Sequence, residues 1–265
     1  MGRYSNIMLV SDMDATLLNT NHQVSEENFN AIGEFIREGG IFTVASGRMV
    51  DAVRVYIDRL QINAPAICHN GAKVYDFSNE KIVYEKNIED DRKSAFRRVY
   101  EEKPHLGLEV YSKERIYVLR ECIETARLKK TPYNVFYEMP EYVWTEPWTK
   151  ALIIGEEHEI DEFEPVYKTE YDKGYCVRSG VRYLDVVANG VSKGYGVMTL
   201  ADMYNIPREN IYTVGDNMND YEMIMLAGHG YVVENGVEKL KEYAEAVVPD
   251  CNSSAISYII NNLIK

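Results

Sequence analysis

The chain has 265 residues, 46% of them hydrophobic, and carries a formal net charge of −13. A chain of this length and hydrophobic fraction is expected to fold as one large domain or two modest ones around a true core. The excess of acidic residues argues against a cationic surface of the kind that binds nucleic acid or anionic membranes. It does not exclude a small anionic substrate, because a metal ion and a lysine can reverse the field inside one cleft.

Cysteine and histidine patterns do not indicate a zinc site or a His-based catalytic triad. The four cysteines form no Cys-x-x-Cys pair, and the five histidines lack the spacings His-x-His and His-Glu-x-x-His. No apolar run approaches the roughly 18 residues of a membrane span, and the N-terminus lacks the pattern of a signal peptide. These features predict a cytoplasmic protein with reduced thiols.

The first informative segment is an apolar run at residues 7–10 followed by two carboxylates, Asp12 and Asp14. The run predicts a short buried strand, and in an open α/β sheet ligands bind beyond the carboxyl ends of the strands. Adjacent carboxylates raise each other's pKa unless a cation offsets their charge, and Mg²⁺ favours such oxygen ligands. The segment therefore indicates a phosphoryl-transfer site; the alternative is a solvated turn after a strand.

Strands and helices alternate after this segment. Ser25 is suited to cap a helix that Gly39-Gly40 ends. The next predicted elements are a strand over 41–45, a helix over about 50–60, a strand over 66–68, and short strands near 72–75 and 82–84. Two polar turns lie among them: Ser46-Gly47-Arg48, whose arginine is expected to pair with a carboxylate or cap the backbone, and Asn70-Gly71, which is typical of a hairpin turn.

The character of the sequence changes over residues 87–182. Helical stretches near 90–102 and 120–130 alternate there with short tyrosine-rich strands near 108–111 and 116–119. We predict that this segment is an inserted α+β domain and not a continuation of the parallel sheet. It interrupts a Rossmann-like, doubly wound parallel α/β core formed by residues 1–86 and 183–265.

The α/β alternation resumes at residue 183. A strand is predicted over 184–187, a helix from Ser192-Lys193-Gly194 to about residue 204, and an apolar strand over 211–214. The last of these strands runs into Gly215-Asp216-Asn217-Met218-Asn219-Asp220 and a further helix. An amphipathic helix over 254–265 ends the chain. Polar clusters thus follow several predicted strands or begin a helix, and in an α/β fold these positions can come together in a single site.

Phosphoryl transfer requires a nucleophile, a proton donor and acceptor, and charge neutralisation around the phosphoryl oxygens. Asp12 can act as the nucleophile, and Asp14 can protonate the leaving alcohol and then activate water. Ser46 can offer a hydroxyl and Gly47 a backbone amide to phosphate, and Lys193 can supply a compact cation. Asp216 can be a further metal ligand, Asn219 an amide donor and Asp220 a supporting carboxylate.

Each of these residues also has a structural explanation. Ser46 can be a helix N-cap, Lys193 a solvated helix residue, and the segment from Gly215 to Asn217 an ordinary turn. Their joint occurrence in this order favours the functional interpretation.

The motifs resemble those of the haloacid dehalogenase superfamily, in order along almost the whole chain. They are Asp12-Met13-Asp14-Ala15-Thr16-Leu17, Ser46-Gly47-Arg48, Ser192-Lys193-Gly194, and Gly215 to Asp220. Asn70-Gly71-Ala72 and the insert of about a hundred residues are similar to the Cof-type subfamily IIB, whose cap is of type C2B. The resemblance implies a Mg²⁺-dependent phosphatase that acts on sugar phosphates or other small phosphorylated metabolites through an aspartyl-phosphate.

The resemblance also implies roles for individual residues. Asp12, the Asp14 backbone carbonyl and Asp216 would bind Mg²⁺. Phosphate would be held by the Met13 backbone, Ser46, Gly47, Lys193 and Asn219. The expected partner is a small phosphorylated metabolite, with neither nucleic acid nor membrane, and the expected state is a monomer or homodimer.

Two segments depart from the family pattern. Ala15 stands where glycine is usual, and Cys251-Asn252-Ser253-Ser254-Ala255-Ile256 replaces a more acidic, glycine-containing segment. Two other functions use a similar set of residues: a phosphotransferase or phosphomutase on the same scaffold, and a non-catalytic phospho-acceptor module. The length of the chain and the acid at Asp14 argue against the second.

Overall fold

The computed structural model describes residues 2–173 and 176–264. The chain divides into two compact units: the described residues up to Tyr84 together with those from Ser192 onward, and residues Glu85–Val191. The strands β1–β14 are Met8–Ser11, Ile41–Val44, Ala66–Cys68, Lys73–Asp76, Lys81–Glu85, Gly107–Ser112, Arg115–Arg120, Asn134–Phe136, Lys150–Ile154, Cys176–Gly180, Tyr183–Val186, Ile211–Gly215, His229–Val233 and Ala246–Val248. The helices α1–α9 are Glu26–Arg37, Val50–Arg54, Ile57–Leu60, Asp90–Glu102, Glu157–Val166, Lys193–Tyr204, Tyr221–Leu226, Glu238–Lys241 and Ala255–Asn262.

The first unit contains a parallel sheet with the strand order β14-β13-β12-β1-β2. Strand β1 lies between β2 and β12, and Ser11 is in register with Val44 and Val214. The carboxyl ends of these three strands therefore lie at one edge of the sheet. This arrangement confirms the predicted α/β fold class and brings the segment after β1 beside the segment after β12.

Both faces of this sheet are covered, as the continuous apolar run in β1 predicts. Leu9 packs in a cluster that includes Ile32 and Phe35 of α1 and several residues of α9, whereas its neighbours Met8 and Val10 pack against α6 on the opposite face. This alternation follows from the two-residue period of a strand. Ser25 caps α1 as expected, because its Oγ accepts a hydrogen bond of 3.1 Å from the Asn28 N–H.

A smaller sheet with the order β3-β4-β5 completes the first unit. Strands β3 and β4 are antiparallel, so the turn at His69–Gly71 does connect a hairpin. The helix predicted over about 50–60 is instead two short helices, α2 and α3. They separate because Tyr56, with φ −103° and ψ −3°, departs from regular α-helical geometry.

The second unit contains a six-stranded sheet with the order β10-β11-β9-β6-β7-β8. Its pairs are antiparallel except for β7 with β8. Its core includes Phe96 of α4 and the fully buried Trp148. The stretch predicted as helical near 120–130 is a 3₁₀ helix over Ile123–Lys130. Near the ends of the unit, Lys86 Nζ donates a hydrogen bond of 2.6 Å to the Asn189 carbonyl.

The structure corrects the position of one predicted strand. The sequence predicts that residues 183–191 belong to the parallel core, but β11 pairs with β9 and β10, and these residues belong to the second unit. The apolar side chains of Leu184 and Val186 fit the core of either sheet, so the sequence pattern does not distinguish the two. The proximity of β10 along the chain favours the hairpin that is observed.

None of the helices within residues 2–173 and 176–264 combines the length and the apolar character that crossing a membrane would require.

Candidate active site

The candidate site lies at the carboxyl edge of the parallel sheet. Asp12 follows β1 directly, Ser46 lies two residues after β2, and Asp216 follows β12, while Lys193 is the first residue of α6. In a parallel sheet, these strand ends meet at the same edge. The structure thereby brings together residues that are up to about two hundred positions apart in the sequence.

Lys193 is the centre of the site. Its Nζ forms ion pairs with Oδ1 of Asp12 and, at 2.6 Å, with Oδ1 of Asp220. The Lys193 side chain is only 1% exposed, which excludes a solvated helix residue. Burial by itself disfavours the charged ammonium, but the two adjacent carboxylates raise the pKa of Lys193 above its usual range. Lys193 is therefore a fixed positive charge beside Asp12.

Asp220 organises the loop after β12. Its Oδ2 accepts hydrogen bonds from the backbone N–H groups of Asp216 and Asn217, at 2.9 and 3.1 Å. The loop is so tight that a Cβ at Gly215 would collide with the Asp220 carboxylate. Together with its ion pair to Lys193, these contacts engage both oxygens of Asp220. These contacts hold the loop that carries Asp216, and the supporting role of Asp220 in the reaction stays a prediction.

Asp12, Asp216 and Asp220 form a cluster that is suited to a cation. One carboxylate oxygen from each lies within 4.8 Å of the others. Burial and the neighbouring carboxylates raise the pKa of Asp12 well above its usual value, although Lys193 opposes the shift. Burial and the charge of Asp220 likewise raise the pKa of Asp216 to about 6. Three carboxylates against one ammonium leave an excess of negative charge, which a divalent cation with a preference for oxygen ligands would offset.

Within this cluster, Asp12 and Asp216 are the residues best placed to hold a metal, since both oxygens of Asp220 are already engaged. Oδ1 of Asp216 also accepts a hydrogen bond of 3.2 Å from the hydroxyl of Thr16. The side chain of Asp14 is not part of the cluster. Its predicted contribution to the metal site is its backbone carbonyl, and that remains a prediction.

Asp14 is bound instead by Arg48. The guanidinium donates two hydrogen bonds, from Nε to Oδ2 at 2.8 Å and from Nη2 to Oδ1 at 2.7 Å. Burial would raise the pKa of Asp14, but the hydrogen bonds and the charge of Arg48 outweigh it and lower this pKa. The carboxylate pairing that the sequence predicts for Arg48 is therefore made with Asp14, which is itself a candidate catalytic group.

The candidate phosphate-binding residues surround this centre. Ser46 is buried, and its Oγ accepts a hydrogen bond of 3.2 Å from the Arg48 N–H. It is not the N-cap of α2, because Met49 occupies that position. Asn219 is buried, and its Nδ2 donates to Oδ1 of Asn70 at 3.2 Å. The Met13 side chain packs in the hydrophobic core, consistent with a predicted role that uses only its backbone.

The loop between Asp14 and Thr16 is held by a hydrogen bond from a residue far away in the sequence. Ala15 has a left-handed backbone with φ +56°, a conformation that favours glycine. Its carbonyl accepts a hydrogen bond of 2.8 Å from Nδ2 of Asn235, whose Oδ1 accepts another of 2.8 Å from the Cys251 N–H. The divergent segment that begins at Cys251 is thus connected to the loop. No local pattern in the sequence identifies Asn235 in this role.

Comparisons with known proteins agree with this geometry. The model of the haloacid dehalogenase-like hydrolase family matches residues 9–260. The chain is 26% identical to the 5-amino-6-(5-phospho-D-ribitylamino)uracil phosphatase YwtE of Bacillus subtilis over 96% of each chain. The crystal structure of TM0651 from Thermotoga maritima is 27% identical, covers 98% of each chain and has a TM-score of 0.81.

A solved sugar phosphatase of HAD subclass IIB, BT4131, shares the fold with a TM-score of 0.82 at 20% identity, and it covers 96% of this chain and 97% of its own. The resemblance to the Cof-type subfamily is supported by these findings, since the similarity extends through the inserted unit as well as the core. Because the family model spans nearly the whole chain and its motif residues meet at one sheet edge, the chain belongs to the haloacid dehalogenase-like hydrolases.

Proposed function

We propose that this protein is a Mg²⁺-dependent phosphatase that hydrolyses small phosphorylated metabolites through an aspartyl-phosphate on Asp12. The observation that carries the proposal is the buried Lys193, which pairs with Asp12 and Asp220 beside Asp216. A lysine held in this way supplies a fixed positive charge where phosphoryl oxygens would be bound, and it needs no reorganisation during the reaction.

In the first step, a carboxylate oxygen of Asp12 attacks phosphorus, and the bond from phosphorus to the ester oxygen breaks. The electron pair of that bond passes to the leaving oxygen, which takes a proton from the Asp14 carboxyl. Arg48 occupies both oxygens of Asp14 in the structure. Each carboxylate oxygen keeps a further lone pair that can take the proton, and protonation weakens the pairing with Arg48.

In the second step, Asp14 takes a proton from water as the water oxygen attacks phosphorus. The bond from phosphorus to the Asp12 oxygen breaks, which regenerates the Asp12 carboxylate and releases inorganic phosphate. Asp14 acts here as a base and becomes protonated, ready for the next cycle. The pairing with Arg48 stabilises the carboxylate form that this step requires.

The remaining residues bind and orient the phosphoryl group. Ser46, the Gly47 amide, Lys193, Asn219 and the Met13 backbone are proposed to hold its oxygens. Asp12, Asp216 and the Asp14 carbonyl would hold Mg²⁺, which supplies charge neutralisation and orientation when bound. Asp220 holds the loop that carries Asp216.

The substrate class is proposed from the relatives. YwtE is named for a phosphomonoester of a ribityl compound, and BT4131 is described as a sugar phosphatase. We propose that the first unit performs the chemistry and that residues 85–191 select the alcohol portion of a polyol or sugar phosphate.

The experiment is a measurement of inorganic phosphate released from a panel of sugar, polyol and nucleoside phosphates, with Mg²⁺ and with EDTA. Asp12→Asn removes one negative charge and the nucleophile. Asp202→Asn, at an exposed position of α6, removes the same charge without touching the site. We expect phosphate release only with Mg²⁺, its loss in Asp12→Asn and its retention in Asp202→Asn. An Asp12→Asn protein with near-native turnover would contradict the mechanism, and phosphate passed to a sugar instead of water would indicate a phosphotransferase or mutase.

A further inference from the structure

The turn between β3 and β4 contains a buried asparagine to which the mechanism above gives no role. Asn70 is only 1% exposed, and its backbone is left-handed, with φ 55° and ψ 31°. In an ordinary Asn-Gly hairpin turn, asparagine meets the local requirement for positive φ, and its side chain is usually exposed. The burial of Asn70 therefore requires a further explanation.

Backbone contacts hold this turn against two parts of the site. The Asn70 N–H donates to the Ser46 carbonyl at 3.0 Å, and the preceding N–H of His69 donates to the Arg48 carbonyl at 2.9 Å. Gly71 has φ 97°, and a Cβ there would collide with the carbonyl of Ser192, which immediately precedes Lys193. The turn therefore lies between the loop after β2 and the start of α6.

The side chain of Asn70 reaches two candidate phosphate-binding residues. Its Oδ1 accepts a hydrogen bond from Nδ2 of Asn219 at 3.2 Å. Because an amide nitrogen carries two hydrogens, Asn219 retains one for a ligand. The Asn70 amide also lies against Gly47, where an added Cβ would be 3.1 Å from Oδ1 and 3.3 Å from Nδ2. A side chain at position 47 would therefore require the Asn70 amide to shift by a few tenths of an ångström.

Nδ2 of Asn70 has no hydrogen-bond partner within the described part of the chain, although it is buried. Buried donors are normally satisfied, so an exception beside a candidate phosphate site points to an acceptor supplied by a ligand. A phosphoryl oxygen is such an acceptor. The charge of a phosphoryl group would also strengthen the hydrogen bond.

We infer that Asn70 is a further phosphate-binding residue: its Oδ1 orients the Asn219 amide, and its Nδ2 donates to a phosphoryl oxygen. This inference rests on the proposed function, since it assigns the phosphoryl group to the same site. It adds a fourth loop, the β3–β4 turn, to the three strand-end loops that surround Asp12.

The test compares Asn70→Ala with Asn70→Asp by isothermal titration of inorganic phosphate in the presence of Mg²⁺. The alanine variant loses both contacts, and we expect its Kd to rise about tenfold or more. The aspartate variant keeps an acceptor for Asn219 but replaces the donor with a negative charge, so its Kd should rise further at neutral pH. Its affinity should recover as the pH falls and the introduced carboxyl gains a proton.

Asn28→Ala is the matched control. Asn28 is a buried asparagine of α1 whose Nδ2 also lacks a partner within the described residues, but its Oδ1 accepts from the Ser257 N–H at 2.9 Å in α9, away from the site. We expect this variant to lose stability and to keep the phosphate affinity of the wild type. If only the Asn70 variants lose phosphate affinity, the loss is caused by the missing contacts at the phosphate site and not by the removal of a buried amide in general.

The inference is overturned if Asn70→Asp binds phosphate within about twofold of the wild type at neutral pH. Where Asn70→Ala does not fold, the near-isosteric Asn70→Asp decides the question, because a side chain remote from the phosphoryl group would leave the phosphate affinity at neutral pH unchanged. Failure of the inference is distinct from failure of the proposed function. In the first case the wild type still hydrolyses phosphomonoesters with dependence on Asp12, and in the second it does not.

Discussion

Arg48 holds both carboxylate oxygens of Asp14 in a bidentate ion pair, with contacts of 2.8 and 2.7 Å. The guanidinium also lies over the ring of Tyr56, 4.9 Å from its centroid, which fixes it from a second direction. The hydrogen bonds and the charge of Arg48 lower the pKa of Asp14. The residue proposed as proton donor is thus held as a carboxylate, the form that the second half of the reaction uses.

Removal of Arg48 should change the pH range in which Asp14 can donate a proton. In Arg48→Ala the pKa of Asp14 rises, because the cation and its two hydrogen bonds to the carboxylate are lost, so the protonated form persists to higher pH. We expect the alkaline limb of kcat/KM for an alkyl phosphate to move upward by about one pH unit or more. Arg37→Ala, at an exposed position of α1, serves as the control. An unchanged alkaline limb would show that Asp14 does not govern it.

Asp14→Asn should separate substrates by their leaving groups. The substitution removes the proton donor while keeping the size of the side chain. An alkyl phosphate needs protonation of its leaving oxygen, whereas p-nitrophenyl phosphate does not. We expect kcat for the alkyl phosphate to fall by about 10²–10⁴ and that for p-nitrophenyl phosphate to fall less in the first step, as measured by the burst of p-nitrophenol in rapid-mixing experiments. Equal losses for the two substrates would argue against a donor role for Asp14.

Lys193→Met should abolish turnover and destabilise the fold. The substitution keeps the length of the side chain but leaves the carboxylates of Asp12 and Asp220 buried without their cation. Breaking a buried ion pair on one side costs about 3–5 kcal/mol. Chemical denaturation measures this loss, with Lys239→Met at an exposed position of α8 as the control. If the two variants are equally stable, the Lys193 ion pairs contribute little to folding.

The carboxylate cluster predicts how stability depends on pH without metal. The pKa of Asp216 is about 6 in the folded protein, above its value in an unfolded chain. Between the pKa of Asp216 in the unfolded chain and its pKa in the folded protein, the folded state binds more protons than the unfolded state. The free energy of unfolding therefore falls as pH rises through about 6. With EDTA present, we expect a higher Tm at about pH 5.5 than at pH 7.5.

Mg²⁺ should reduce this loss of stability at the higher pH, because the cation replaces the proton that the cluster would otherwise need. Asp216→Asn should weaken both the pH dependence and the response to Mg²⁺. Tm measured by differential scanning fluorimetry, over a pH series with either EDTA or Mg²⁺, tests these expectations together. A metal-free Tm that rises from about pH 5.5 to 7.5 would contradict the assignment of the raised pKa to Asp216.

Ala15→Gly should stabilise the loop after β1. Ala15 has φ +56°, which costs a residue with a Cβ about 1–2 kcal/mol, while the greater freedom of glycine in the unfolded chain offsets part of the gain. We expect a net increase of about 1 kcal/mol in the free energy of unfolding, with little change in kcat. Ala244 does not have a positive φ, so Ala244→Gly should instead lower the free energy of unfolding. A loss at Ala15 as well would show that the methyl group contributes packing that outweighs the backbone cost.

The parts of the site that the sequence predicts are those set by local patterns. The apolar run before Asp12 and the strand before Asp216 place both residues at the ends of adjacent strands, because parallel strands share an edge. The position of Lys193 at the start of α6 also follows locally, since Ser192 caps that helix: its Oγ accepts a hydrogen bond of 3.1 Å from the Tyr195 N–H.

The parts that the sequence does not predict depend on tertiary packing. The alternation of Leu184 and Val186 defines a strand but not its partners, and β11 therefore belongs to a different sheet from the one expected. The Asn-Gly turn predicts the hairpin, yet the burial of Asn70 depends on its contacts with Asn219 and Gly47. Asn235 acts on Ala15 across 220 positions, and no local signal marks such a contact.

The hydrogen bond from Lys86 to the Asn189 carbonyl joins the two ends of the segment 85–191 to each other. A segment whose ends meet, inserted between elements of a unit that has its own sheet, can be lengthened, replaced or lost in evolution without cutting any strand that leads to Asp12 or Asp216. Residues 85–191 can therefore change in length or sequence while the strands that lead to Asp12 and Asp216 keep their connections.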